Sequence, residues 1–168
     1  MALDKTNGEI VTSLPPEFIS REFLFVLPAL NRLIGRDLRG ENGDDTTLVQ
    51  IRVLAFLIDA PITMSTLARK RRVSLQAASE LVQGMVSRGW VVREPDPKDR
   101  RQSLLHITDE GRRQFALSQE QMVKTLLPLI ETLSEDERDS VHYALIALRR
   151  VLSTQDPLTV SEVVSLEE

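Results

Sequence analysis

The 168-residue chain contains no cysteine. That excludes a disulfide framework, a thiolate zinc site and any sensing of oxidants through a thiol. Histidine is nearly as scarce, with His106 and His142 the two in the sequence. His106 falls on a short strand and His142 on a helix, where packed or solvated roles are expected of both. The G-x-S-x-G, phosphate-loop and H-E-x-x-H patterns are all missing. Asp44 and Asp45 follow Gly43 and read as a turn, not a metal site. No enzyme, no metal and no other cofactor is therefore expected. Aromatic residues make up 4% of the chain, so its core must be aliphatic. No apolar run reaches about eighteen residues, which leaves no membrane span. The N-terminal stretch lacks a basic region followed by an apolar core, so no secretory leader is expected. The length suits one domain, or one domain with an added helical layer, and a cytoplasmic protein is the expectation.

A net charge of −4 argues at first against a polyanionic partner. Its distribution argues the other way. Between Ile62 and Arg113 there are eleven Lys or Arg against six Asp or Glu, and the remainder has ten against nineteen. A basic centre between acidic ends fits a protein that meets a polyanion with one face. Chance clustering of surface charge is the plainer alternative.

Residues 1–14 are polar and without period, and read as a loose arm. Phe23, Val26, Leu27, Leu30, Leu33, Ile34 and Leu38 then recur at helical spacing. Pro28 inside that run predicts a kink or a split. Gly40, Gly43 and Asp44 make a loop. Thr47 and Gln50 form a capping box for a second helix with the stripe Leu48, Ile51, Leu54, Ala55 and Ile58. Thr63 caps a third helix that ends in Arg69, Lys70, Arg71 and Arg72. Cations belong at a helix C-terminus, and dipole pairing alone could place them there. Ser74 caps a fourth helix, with Ala78, Leu81, Val82, Met85 and Val86 inward. Its outward stripe is Gln76, Ser79, Glu80, Gln83 and Ser87. Solvated helix faces are usually rich in Lys and Glu. Short, nearly uncharged polar side chains suit a face that reads base edges.

The stretch from Trp90 to Gly111 reads as two short strands and the start of a helix. Val91 and Val92 open the first strand, Pro95 and Pro97 break it, and Leu104, Leu105 and Ile107 form the second. Asp96, Lys98, Asp99, Arg100 and Arg101 occupy the tip between them. A two-stranded ribbon is usually a solvated hairpin. One with cations at its tip, directly after a helix pair, is a wing able to reach a DNA groove. Thr108 caps a long helix to about Leu133, interrupted by Pro128, with Phe115, Met122, Leu126 and Leu129 or Ile130 inward. Ser134 and Glu137 are a second capping box, and Val141, Ala144, Leu145, Leu148 and Leu152 stripe the last helix. Residues 154–168 read as a frayed tail.

The run Asp96-Pro-Lys-Asp-Arg-Arg101, followed by L-x-I-T-x-x-G from Leu105 to Gly111, resembles the wing signature of the MarR family of transcriptional regulators. The resemblance spans roughly residues 18–153. Thr63–Ala68 is similar to the first helix of that family's helix-turn-helix, Ser74–Gln83 to its recognition helix, and Arg88–Val91 to its exit. The fold it implies is mainly α with a small β-wing: a winged helix-turn-helix lobe over residues 46–108, plus a helical dimerisation layer from 15–45 and 109–153. Two features depart from the family pattern. Arg71 and Arg72 stand where its turn usually holds a leucine and a glycine, and Glu80 where a basic residue is common. A non-glycine residue fits that turn if its φ is negative.

What the resemblance implies is a homodimer that binds a pseudo-palindromic double-stranded DNA site and acts as a repressor released by a small-molecule effector. Ser74, Leu75, Gln76, Ser79 and Gln83 would meet the bases. Lys98, Arg100 and Arg101 would carry the wing contacts, with Asp99 and Arg101 bracing the wing. Thr66, Arg71 and Arg72 would meet phosphates. Leu145, Leu148 and Leu152 would lie in the subunit layer, since a reading lobe this small cannot cover such stripes. Bends at Pro28 and Pro128 would either leave a cavity for the effector or be filled by side chains. The alternative function is a winged-helix module that binds proteins without specific DNA recognition, a use that Glu80 would suit.

Overall fold

In the computed structural model of the chain, helices begin where short polar side chains take up the orphan amides of a first turn. Thr47 precedes α2 (Leu48–Ile58). Its hydroxyl accepts from the Gln50 amide at 3.3 Å, and the Gln50 side chain accepts from the Thr47 amide at 3.0 Å. Thr63 caps α3 (Met64–Arg71), Ser74 caps α4 (Leu75–Ser87) and Thr108 caps α5 (Asp109–Glu131), each accepting from the amide three residues on. Ser134 and Glu137 make a second reciprocal box before α6 (Glu135–Gln155). The first helix is α1 (Pro16–Asp37). The structure describes residues 14–38, 46–97, 99 and 101–155. The loop and turn expected over 40–45, most of the arm, most of the tail, Lys98 and Arg100 lie outside the described residues.

The chain divides into two compact units, Met1–Leu33 and Ile34–Glu168. In the first, Phe18, Ile19, Leu24, Phe25, Val26 and Leu27 are all exposed. The second holds the core. A kink or split was expected at Pro28 and Pro128; α1 and α5 each run through their proline as one helix, so neither is split there. A proline removes one hydrogen bond from the ladder, and in helices this long the remaining bonds hold the axis together.

Three strands form one antiparallel sheet in the order β1-β3-β2, where β1 is Ile62–Thr63, β2 is Val91–Pro95 and β3 is Ser103–Ile107. Val91 pairs with Ile107 and Pro95 with Ser103 along the wing, while Ile62 pairs with Leu105. Two strands were expected, and Thr63 only as the cap of the third helix. Two residues are too few to show a period, so this third strand exists only through its partner. Pro95 is tolerated in β2 because that strand is an edge.

The core is aliphatic apart from Trp90 and Phe115. Its centre is α2, which buries Val53 and Leu57 as well as the expected Ile51, Leu54 and Ala55. Leu67, Val82, Met85, Val91 and Leu105 close around it from α3, α4 and the sheet. Gly89 ends α4 at φ +73°, a conformation glycine adopts without steric cost. The chain then turns so that the Trp90 carbonyl accepts from the Thr108 amide at 3.0 Å, and the Thr108 hydroxyl donates to the Gly89 carbonyl at 2.6 Å. The head of α5 is thereby pressed onto this turn. A Cβ at Gly111 would overlap the Trp90 carbonyl oxygen. The fold is a winged helix: mainly helical, with a small three-stranded sheet.

Candidate nucleic-acid interface

Helix α4 presents one face to the core and one outward. Ala78, Val82 and Met85 are buried, whereas Gln76, Glu80, Gln83 and Ser87 are exposed and Ser79 is half-buried. Glu80 is the single charged residue of the helix. The Gln76 amide donates to its carboxylate at 3.1 Å. Leu75 stands exposed in the first turn, and the Ser74 hydroxyl oxygen is taken up by the cap, accepting from Ala77 at 3.1 Å.

A groove of about 810 Å³ separates this face from the wing. Leu75, Gln76 and Ser79 line one side, Arg93, Arg101, Gln102 and Ser103 another, and Thr63, Met64 and Ser65 the end at the head of α3. Arg93 ties the two sides together: its guanidinium donates to the Ser79 carbonyl at 3.2 Å, linking β2 to α4. At the far end of α4, Arg88 donates to the Gln50 side chain at 3.3 Å and lies 4.9 Å from the centre of the Trp90 ring. The helix is thus anchored to other elements of the lobe at Ser79 and at its C-terminal cap. Polar side chains flanked by arginines suit a polyanion whose bases are read from one side.

The turn between α3 and α4 does not meet the condition under which a non-glycine residue fits it without strain. Arg72 has φ 53° and ψ 43°, the left-handed conformation, and not a negative φ. Its amide and that of Val73 bond back to the last turn of α3, Val73 reaching the Ala68 carbonyl at 3.0 Å. Capping those carbonyls needs a left-handed residue after the helix, and the arginine bears the strain a glycine would avoid. Its side chain is exposed. Arg71 is half-buried, and burial, followed by repulsion from Arg52, pushes its guanidinium below the usual arginine range. Lys70 sits 4.7 Å over the Phe56 ring. Thr66 is half-buried, its hydroxyl oxygen accepting from the Thr63 hydroxyl at 3.0 Å, while Ser65 is exposed.

At the wing tip the Asp99 carboxylate accepts from the Gln102 side chain at 3.0 Å and from the Arg101 amide at 3.1 Å. These bonds hold it below the usual aspartate range, the Gln102 bond contributing most and the Arg101 bond next. The Gln102 amide donates to the Asp99 carbonyl at 2.9 Å, and the Asp96 amide to the Gln102 carbonyl at 3.0 Å. Asp99 thus holds Arg101 through the backbone, and the arginine side chain lines the groove. Among the described residues no group of three or more His, Asp or Glu could hold a metal, and no helix is long and apolar enough to cross a membrane.

Residues 44–102, from the start of the lobe through the wing, match the family model described as MarR family. The fold and the wing turn coincide with that match. Over these residues the chain is similar to the MarR family. It is 26% identical over 138 residues to the uncharacterized HTH-type transcriptional regulator YdgJ of Bacillus subtilis (strain 168), covering 82% of each chain. Wild-type MarR from E. coli, in its apo form, superposes with a TM-score of 0.67 at 28% identity, over 77% of this chain and 95% of that one. FabT of Streptococcus pneumoniae, solved in complex with DNA, shares the fold with a TM-score of 0.61 at 20% identity, over 83% of this chain and 99% of its own.

Within this lobe, the structure brings Leu75, Gln76, Ser79 and Arg101 around one groove. Gln83 is exposed farther along α4, and Arg71 and Arg72 lie at the opposite end of α3 from Thr63. Sequence reasoning missed Ser65, Arg93 and Gln102. Arg93 had a readable signal: it alternates with Val91 on the strand leading to the wing. Gln102 and Ser65 had none, because their places follow from tertiary packing. On α6, Leu145 and Leu152 are exposed in the single chain and Leu148 is half-buried. Val141, Tyr143, Ile146 and Val151 are exposed beside them. Leu129 and Ile130, one of them expected inward on α5, are also exposed.

Proposed function

We propose that this protein is a homodimeric regulator of transcription that binds a specific, pseudo-palindromic double-stranded DNA site. The observation that carries the reading is the groove between α4 and the wing. Leu75, Gln76 and Ser79 of α4 line one side of it without a charge, and Arg93 and Arg101 stand at its other side. Gln76, Ser79 and Gln83 would meet base edges in the major groove, and the wing, with Lys98 and Arg100, would lie over the adjacent minor groove. Ser65, Arg71 and Arg72 would meet phosphates. The apolar side chains exposed on α1 and α6 support a dimer, since surface of this kind on one chain is ordinarily covered by another. FabT's structure with DNA supports the same use of a shared fold. Repression relieved by a non-covalent small molecule completes the reading, and the resemblance to the MarR family is its support.

Selection of bound sequences from a randomised duplex pool tests this. The expected result is an inverted repeat whose half-sites are centred about one helical turn apart. Recovery of no enriched sequence, with binding to a protein partner instead, would favour an interaction module.

A further inference from the structure

Within the proposed DNA-reading face, Gln76 and Glu80 are neighbours one helical turn apart and are joined by a hydrogen bond. A carboxylate only accepts, so the Gln76 amide must turn its nitrogen toward Glu80. That fixes the other end of the amide. Its oxygen and its second N–H are left for another partner. Glu80 has no cation within ion-pair distance among the described residues, and keeps its other oxygen for a donor. The pair therefore offers, side by side, one acceptor with one donor from Gln76 and acceptors alone from Glu80.

The major groove answers this arrangement selectively. Adenine presents a donor at N6 beside an acceptor at N7, and cytosine presents a donor at N4. Guanine presents only acceptors, as does thymine apart from its methyl group. We propose that Gln76 and Glu80 act as one reading unit, Gln76 selecting adenine and Glu80 selecting cytosine at a neighbouring position while rejecting the reversed pair. This rests on the DNA-binding reading above. Gln76 would touch adenine directly with an amide already turned the right way, so little freedom is lost on binding. Glu80 has two tasks: it touches the cytosine amino group and positions Gln76. Its negative charge also lies near phosphates. It therefore weakens binding to sequences that return no hydrogen bond, and widens the gap between specific and random duplex.

The test measures affinity for the selected site, for each single-base variant of one half-site and for random duplex, at one salt concentration. The proteins are wild type, Glu80→Ala, Glu80→Gln and Gln76→Ala. Both side chains are exposed, so melting temperatures near wild type are expected for all three variants. Wild type should prefer adenine and cytosine at two neighbouring positions by about tenfold each, as for a good side-chain to base pairing. Glu80→Ala should lose the cytosine preference, reduce the adenine preference as well, and bind random duplex more tightly. Glu80→Gln, whose amide can turn a donor outward, should accept the reversed guanine pair. Gln76→Ala should lose the adenine preference alone. If Glu80→Ala binds the site with unchanged preference at every position, the reading unit is refuted while the DNA-binding reading stands. If wild type shows no preference for any duplex, that reading fails and takes this one with it.

Discussion

Replacing Arg72 should separate folding from DNA binding. The residue sits at φ 53°, ψ 43° in the turn between α3 and α4. A left-handed conformation costs an L-residue with a Cβ roughly 1–2 kcal/mol, and glycine avoids it. Glycine also loses more freedom on folding, which returns roughly 0.5–1 kcal/mol of that gain. Arg72→Gly should therefore be more stable than wild type by about 0.75 kcal/mol, the difference between the centres of those two ranges. For a chain of this size that is a rise of about 1–4 °C in melting temperature. Arg72→Ala keeps the strain and should melt near wild type. Both variants remove the same cation. If Arg72 meets a phosphate, each should lower the slope of log affinity against log salt by about 0.9 for every phosphate left unneutralised, close to two for a dimer. The assay is thermal melting at equal protein concentration, with duplex affinity at four or five salt concentrations. Equal melting of the glycine and alanine variants would refute the left-handed turn. Unchanged salt slopes would refute the phosphate contact.

Gly111→Ala should destabilise the lobe by roughly 1–3 kcal/mol or more, since the new methyl meets the Trp90 carbonyl and the backbone must move; an unshifted urea midpoint would contradict the close approach. Leu148→Glu should place a charge in the proposed subunit layer at a cost of a few kcal/mol and yield monomers by light scattering. A monomeric wild type at micromolar concentration would refute the dimer. The Asp99 carboxyl, lowered by bonds from Gln102 and Arg101, favours the folded wing turn. Its contribution is complete above the ordinary aspartate value and is lost as pH falls through the lowered one. A carboxyl-shift NMR titration should show that depression, and a midpoint at the ordinary value would contradict the brace.

Caps were legible because they are local. Thr47 with Gln50 and Ser134 with Glu137 bond over three residues, and each start was readable from residue type and spacing. The buried stripe of α4 was legible for the same reason, in its period. Where the outcome depends on another element, the sequence was silent. The run Leu48–Ile58 shows one stripe, but α2 lies inside the lobe and buries Val53 and Leu57 too. Ile62 and Thr63 form a strand because β3 accepts them. Residue type left the sign of φ at Arg72 open, and the left-handed value goes with the Arg72 and Val73 amides bonding back to the last turn of α3. The bond from Gln76 to Glu80 has helical i,i+4 spacing, so its signal was present in the sequence.

The central claim, that α4 and the wing together read duplex DNA, is tested most directly by the binding of random and selected duplex across a salt series. Wild type should bind both, the selected site more tightly, with log affinity falling linearly as log salt rises. Arg100→Ala should bind both more weakly, with a slope shallower by close to two, at about 0.9 for each of two wings. Duplex affinity that is absent, or that does not respond to salt in wild type, would contradict the claim.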